Sequence, residues 1–170
     1  AEAVSALTDL EARVKWPNDV LWRGRKIAGI LTELATRRDR VNFVIVSVGM
    51  NLNHTREQFP AELRGKASSL RIALRHKVDR VAVAQEFLRR LERRYGVFLK
   101  RGFSGVRRAV CRRSTLLGKS VIIEEPTGSG QRVSGRAVDI DSSGRLVVET
   151  SLGEIRLLSG EVTLEQTYQA

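Results

Sequence analysis

Residues 41–48, Val-Asn-Phe-Val-Ile-Val-Ser-Val, constrain the fold of this 170-residue chain more than any other stretch. Val41, Phe43, Val44, Ile45, Val46 and Val48 are apolar and mostly β-branched, which suits a pleated strand. The run is nearly continuous and does not alternate with polar residues. It therefore predicts a strand buried on both faces, with packing required on each side. The strand is predicted over Val41–Asn53, beside a second over Lys26–Thr36, with Arg37-Arg38-Asp39-Arg40 as the turn between them.

Just upstream, residues 15–33 concentrate the polar chemistry. Arg13-Val14-Lys15-Trp16 reads as a strand that Pro17 must end or push to an edge, because proline has no backbone donor. Asn18-Asp19 follow, with side chains able to bond nearby backbone or face a ligand. Val20-Leu21-Trp22 resumes an extended run, and Arg23-Gly24-Arg25 turns the chain into Lys26-Ile27-Ala28-Gly29-Ile30-Leu31. An antiparallel return of this kind brings Lys26 near Asp19. Lys15 and Lys26 offer point charges to an anion such as a phosphate. Asp19 can hold Mg²⁺ or accept a proton, and Gly29 allows close approach to the backbone. An ordinary hairpin with solvated charges is the plain alternative.

Composition narrows the function class. Hydrophobic residues make up 42% of the chain, enough for a core. No stretch approaches the roughly 20 apolar residues needed to span a bilayer. Residues 1–14 contain no basic start and no long apolar run, so a cytoplasmic location is expected. One cysteine, Cys111, excludes an internal disulfide framework, and His54 and His76 have no zinc-ligand spacing. The formal charge of +11 is uneven: residues 86–113 hold ten Arg or Lys against Glu86 and Glu92, leaving +3 elsewhere. That basic face serves either solubility or the docking of an acidic partner.

Residues 54–77 read as an irregular connection with a short helix near Ala67–Arg71, capped by Ser68 or Ser69. Val81, Ala84, Leu88, Leu91, Tyr95 and Phe98 recur at helical spacing and predict an amphipathic helix over residues 79–100, with Asp79 as N-cap. A short basic helix or linker follows over 106–116. Beyond Gly118 come five short strand signals, Val121-Ile122-Ile123, Val133–Ile140, Arg145–Glu149, Glu154–Leu158 and Glu161–Leu164. Turns at Pro126–Gly130, Asp141–Gly144, Ser151–Gly153 and Ser159-Gly160 separate them, which suggests a small barrel.

The string Lys15-Trp16-Pro17-Asn18-Asp19, followed by Arg25–Leu31, resembles the signature of biotin protein ligases. Val46-Ser47-Val48-Gly49-Met50-Asn51-Leu52-Asn53 resembles that family's Gly-x-Gly-Ile-Asn-x-Asn strand, with Ser47 and Met50 as departures. Segments Gly135–Asp141 and Ser159–Val162 resemble the family's C-terminal domain. The resemblance implies an α+β fold: a mixed-sheet catalytic domain of the biotin/lipoate ligase (class II aminoacyl-tRNA synthetase-like) type over 1–114, then an SH3-like β-barrel over 115–170.

It also implies an ATP-dependent, two-step reaction through biotinyl-AMP, with biotin as substrate and Mg²⁺ as cofactor. The acceptor would be a lysine of the biotin carboxyl carrier domain of acetyl-CoA carboxylase or a related carboxylase. Lys26 would be the catalytic lysine. Asn18 and Asp19 would bind the nucleotide and Mg²⁺, and Asp19 could orient the carrier amine. Lys15 would add positive potential or support its strand. Trp16 falls in the motif, although packing explains it as well. Gly29, Ile30 and Leu31 would line the biotin pocket, Gly49 would admit the ligand, and Asn51 and Asn53 would reach the nucleotide unless they serve strand-end turns. The family's Gly-Arg-Gly-Arg-x-Gly loop has no counterpart, and the chain opens within a helical pattern, so a fragment is expected that holds the adenylate poorly. Rival readings are a lipoate ligase, an inactive fragment and a basic binding module. Membrane association and DNA binding are not expected, and a homodimer is an open expectation.

Overall fold

The computed structural model describes residues 1–37, 40–124 and 132–165. They form two compact units, one of residues 1–13 and 18–88, the other of residues 14–17 and 89–170.

The first unit opens with α1 (Glu2–Leu7), a short helix that buries Ala3 and Val4. In the chain, β1 (Arg13–Lys15) comes next. It ends just before the cis Trp16–Pro17 peptide. Then come β2 (Asp19–Trp22), β3 (Arg25–Arg37) and β4 (Arg40–Met50), consecutive antiparallel neighbours. Arg23 and Gly24 both have positive φ, as a two-residue turn matched to strand twist requires, and the Arg23 guanidinium lies over the Trp22 ring. Arg38 and Asp39 of the expected turn lie outside the described residues.

The core of this unit gathers Val4, Ala12, Val20, Ile27, Ala28, Leu70 and Val83. Residues 51–69 are irregular apart from one 3-10 turn at Ala61–Leu63, and α2 (Leu70–Leu74) is capped by Ser69, whose hydroxyl accepts from the Ile72 N–H. The strand expected to run to Asn53 stops at Met50.

α3 (Arg80–Arg101) begins in the first unit and continues into the second. Asp79 caps it as expected, its carboxylate accepting from Val81 and Ala82. The apolar stripe is placed differently from the expectation. Val81, Leu88, Leu91, Tyr95 and Phe98 are exposed, and the helix buries Val83 and Glu86. The β4 run also departs from its pattern, with Val41 to Val46 exposed on both faces. Periodicity identifies an apolar surface; whether these 170 residues supply its cover is a property of the tertiary structure.

In the second unit, α4 (Ser104–Arg113) precedes β5 (Ser120–Glu124), β6 (Arg132–Ile140), β7 (Leu146–Thr150), β8 (Gly153–Leu157) and β9 (Glu161–Leu164). The five strands form one antiparallel sheet in the order β8-β7-β6-β5-β9. The expected turn at 126–130 lies outside the described residues. The core comprises Trp16, Leu116, Val121, Ile123, Ala137, Ile140, Leu146, Val148 and Val162. Gly135 is required by close strand contact, because a Cβ there would stand 2.5 Å from the Glu149 carbonyl oxygen. Arg107 of α4 reaches the Asp139 carboxylate and the Ile140 carbonyl, and the Asp139 contact raises its pKa. Asp141 organises the β6–β7 turn. Burial pushes its carboxyl up, but the N–H groups of Arg145 and Ser143 and the Arg145 guanidinium outweigh that and hold it below the usual range.

Candidate active site

A β-bulge brings the chemistry together. Asp19 pairs with Gly29 and Val20 with Ala28, but Leu21 pairs with Lys26, so Ile27 is an extra residue on β3. Without it, Lys26 and Gly29, three positions apart, would face opposite sides of the strand. With it, the Lys26 side chain lies over Gly29, and its Nζ stands 2.6 Å from Asp19 Oδ1. An ideal Cβ on Gly29 would fall 3.0 Å from Lys26 Cε and 3.1 Å from Nζ. Space at Gly29 is thus taken up by the lysine itself, which refines the expectation of open backbone for a ligand.

The pair is half open. The Lys26 side chain is 47% exposed and that of Asp19 21%. The ammonium approaches Asp19 Oδ1 off the hydrogen-bonding direction, so this buried oxygen has an ion-pair contact and no directed donor among the described residues. Buried acceptors in that state usually await water or ligand.

The Lys26 backbone is held firmly. Beyond the end of β4, Lys66-Ala67-Ser68 runs parallel to β3, with Lys26 N–H donating to the Lys66 carbonyl and Ser68 N–H donating to the Lys26 carbonyl. The sequence pattern did not reveal this segment, since residues 54–77 carry no strand periodicity. Nor did it reveal the bulge, whose one trace is the adjacent buried pair Ile27-Ala28.

Asn18 straps β3. Its Nδ2 donates to the Ile30 carbonyl, and Ile30 N–H donates to the Asn18 carbonyl. Gly49 faces Gly29 across the β3–β4 ladder, where a Cβ would make only an ordinary 4.0 Å contact with the Gly29 carbonyl oxygen, and Leu31 faces Ser47. Asn51 joins through its backbone, donating to Ile27 and accepting from Leu70. Asn53 stands apart, its side-chain amide clamping both the carbonyl and the N–H of Val78. Trp16 is buried in the second unit, and its indole N–H donates to the Gly144 carbonyl at 3.0 Å. Lys15 likewise belongs to the second unit. Among the described residues no cluster of three or more His, Cys, Asp or Glu could hold a metal.

A cation set on a strand over a glycine, beside one carboxylate, can receive an anion such as a carboxylate or a phosphate. Residues 2–53 match the Biotin/lipoate A/B protein ligase family and residues 116–164 the Biotin protein ligase C terminal domain. The chain is 34% identical over 163 residues to a bifunctional ligase/repressor of Bacillus subtilis, covering 96% of this chain and 49% of the relative. It is 37% identical over 158 residues to a biotin–[acetyl-CoA-carboxylase] ligase of Mycobacterium tuberculosis, covering 92% and 54%. Among solved structures, the apo biotin protein ligase of Aquifex aeolicus superposes with a TM-score of 0.83 at 28% identity, covering 96% of this chain and 70% of that one. The same ligase in complex with biotin and ATP gives 0.80 at 26%, covering 96% and 66%. The chain belongs to the biotin protein ligase family. It spans about half the length of these sequence relatives.

Proposed function

We propose that this chain carries the catalytic floor of an ATP-dependent biotin ligase, over residues 1–114, and its SH3-like C-terminal domain, over 115–170. In the first step a biotin carboxylate oxygen attacks the α-phosphorus of ATP, the bond to the β-phosphate breaks, and pyrophosphate leaves. In the second, a lysine amine of a biotin carboxyl carrier domain attacks the acyl carbon of biotinyl-AMP, and AMP leaves as the amide forms. The first step needs no base, because a carboxylate is ionised at neutral pH. Its obstacle is bringing two anions together, which a positioned cation relieves.

The observation that carries this reading is the Lys26 ammonium, held over Gly29 at 2.6 Å from Asp19 by the bulge at Ile27. Lys26 would bridge the biotin carboxylate and the α-phosphate. Asp19 would keep the ammonium in place before substrate arrives and then orient the incoming carrier amine. Gly29, Ile30 and Leu31 would line the biotin site, with Asn18 fixing their strand, and Asn51 would face the nucleotide. Mg²⁺ suits one carboxylate completed by phosphate oxygens, and Asp19 is the residue that would hold it. The match of residues 116–164 favours biotin over lipoate. A cytoplasmic carrier partner is part of the same reading, and among the described residues no helix is long and apolar enough to cross a membrane.

In an intact enzyme, Lys26→Ala is expected to lower biotin-dependent pyrophosphate exchange by at least about 10²-fold while the thermal unfolding curve stays in place. Near-normal exchange in that variant would overturn the assignment. A competition between biotin and lipoate in the same assay separates the two acids.

A further inference from the structure

Strand β8 (Gly153–Leu157) is an outer strand of the five-stranded sheet, paired with β7 on one side and with no described strand on the other. Thr150 and Gly153 close a two-residue turn at the end of the β7–β8 ladder. Such a closing pair exchanges both backbone hydrogen bonds, and the pairs alternate from there. Gly153, Ile155 and Leu157 therefore bond to β7, while the N–H and C=O groups of Glu154 and Arg156 point away from the sheet. An open row of this kind is a template for another strand.

The side chains decide which strand fits. Laid antiparallel against itself about a two-fold axis at Ile155, β8 sets Glu154 opposite Arg156 of a second copy, and Arg156 opposite that copy's Glu154. Both are hydrogen-bonded pairs, so the outward N–H and C=O groups of the two residues are all used. The two adjacent registers that also match these groups set Glu154 on Glu154 or Arg156 on Arg156, and like charges directly opposite repel. Within one chain Glu154 and Arg156 already meet at 2.8 Å on the solvent side, each about half exposed.

The apolar residues complement one another in the same register. Gly153 falls opposite Leu157, and a Cβ on Gly153 would meet nothing within 4 Å, so the leucine has room. Leu152 and Leu158, 94% and 78% exposed at the two ends of the strand, face each other. Ile155 and Leu157 stand beside the buried Val148 and Leu146 yet are only half-buried themselves, and a second strand would extend their cover.

We propose that β8 is a self-pairing edge. A second copy of this chain docks there antiparallel, with Glu154 and Arg156 of each copy matched to the opposite charge of the other, and the sheet continues across the seam. A two-fold seam closes on itself, so it yields a dimer and no open chain of copies. One strand pair buries little area, so the association is weak. The pairing needs neither biotin nor ATP and does not depend on the reaction at Lys26.

The test is sedimentation of the 170-residue protein over a concentration series up to about 1 mM, with amide exchange read residue by residue by NMR. A monomer–dimer equilibrium is expected. The Glu154 and Arg156 amides should become protected as the dimer forms, while the Ile155 amide, bonded to β7, is protected throughout. Glu154→Arg and Arg156→Glu should each weaken the dimer by about tenfold or more, because each turns both matched pairs into like-charge pairs. An equimolar mixture of the two variants should dimerise again, since the charges of one oppose those of the other. Native exchange in β6 and β7 shows that each variant folds, a check Arg156→Glu needs because Arg156 Nη1 also lies 3.7 Å from Asp141. A monomer at every concentration overturns the proposal. So does an oligomer that either variant leaves intact, a dimer whose Glu154 and Arg156 amides stay unprotected, or a mixture of folded variants that does not restore the dimer.

Discussion

Replacing Gly29 by alanine separates the geometry of the site from the stability of the fold. Gly29 does not have positive φ, so alanine suits its backbone. The new Cβ would stand 3.0 Å from Lys26 Cε and 3.1 Å from Nζ, against an ordinary contact of about 3.5–4.0 Å. Relief requires the lysine tip to retreat by about 0.5–1 Å. That is cheap for a flexible side chain, whereas Asp19 Oδ1, at 3.6 Å from the new carbon, has no need to move. Alanine also narrows the unfolded ensemble, worth about 0.4–1 kcal/mol towards folding. The melting temperature should therefore hold or rise slightly. Catalysis should respond in the other direction, because a misplacement of about 1 Å costs on the order of 10²-fold in rate. The assay is biotin-dependent pyrophosphate exchange, in a form of the protein that turns over, with thermal unfolding measured on the same sample. Exchange within about twofold of the unsubstituted protein at an unchanged melting temperature would refute the proposal that Gly29 seats the Lys26 ammonium for the reaction.

Four further outcomes follow from the same geometry. Gly135→Ala should destabilise the protein by about 1–3 kcal/mol, read as a lower urea midpoint at constant slope, since its Cβ would overlap the Glu149 carbonyl and Val148. Asn53→Ala should cost about 1–3 kcal/mol by stranding both backbone groups of Val78 while leaving the KM for ATP unchanged; a large rise in that KM would restore a nucleotide role. Trp16→Phe keeps an aromatic ring in the core but leaves the Gly144 carbonyl without its donor, so stability should drop by about 1–3 kcal/mol. Asp141 has a depressed folded pKa, so its contribution is complete above the unfolded value of about 3.9 and is lost as pH falls through the lower folded value. Asp141→Asn should therefore be less stable than the unsubstituted protein at pH 7, with the two unfolding curves converging as pH falls through the lower folded value.

Much of the local organisation was legible before folding was considered. Arg23-Gly24 marks a tight turn, Asp79 a helix start and Ser69 a cap, because each acts on backbone groups within three residues. The meeting of Lys26 with Asp19 follows from the hairpin between them. Two kinds of information were not legible. Lys66-Ala67-Ser68, which holds the Lys26 backbone, has no periodicity of its own, and its role arises where β4 stops at Met50. Burial was misjudged at Val41–Val46 and along the α3 stripe, because an apolar pattern records that a surface needs cover without recording which polypeptide provides it.

By itself, the sequence determined the strand order through the hairpin, the small β unit after Gly118 and the pairing of a cation with a carboxylate. These depend on turns and alternation, which act over a few residues. Tertiary structure alone decided that Trp16 belongs to the second unit's core, that Asn53 clamps Val78 and that one extra residue at Ile27 turns Lys26 onto the face of Gly29. A strand's side chains alternate strictly, so a single inserted residue moves a lysine from one face to the other. Only the paired partner strand reveals that it has been inserted.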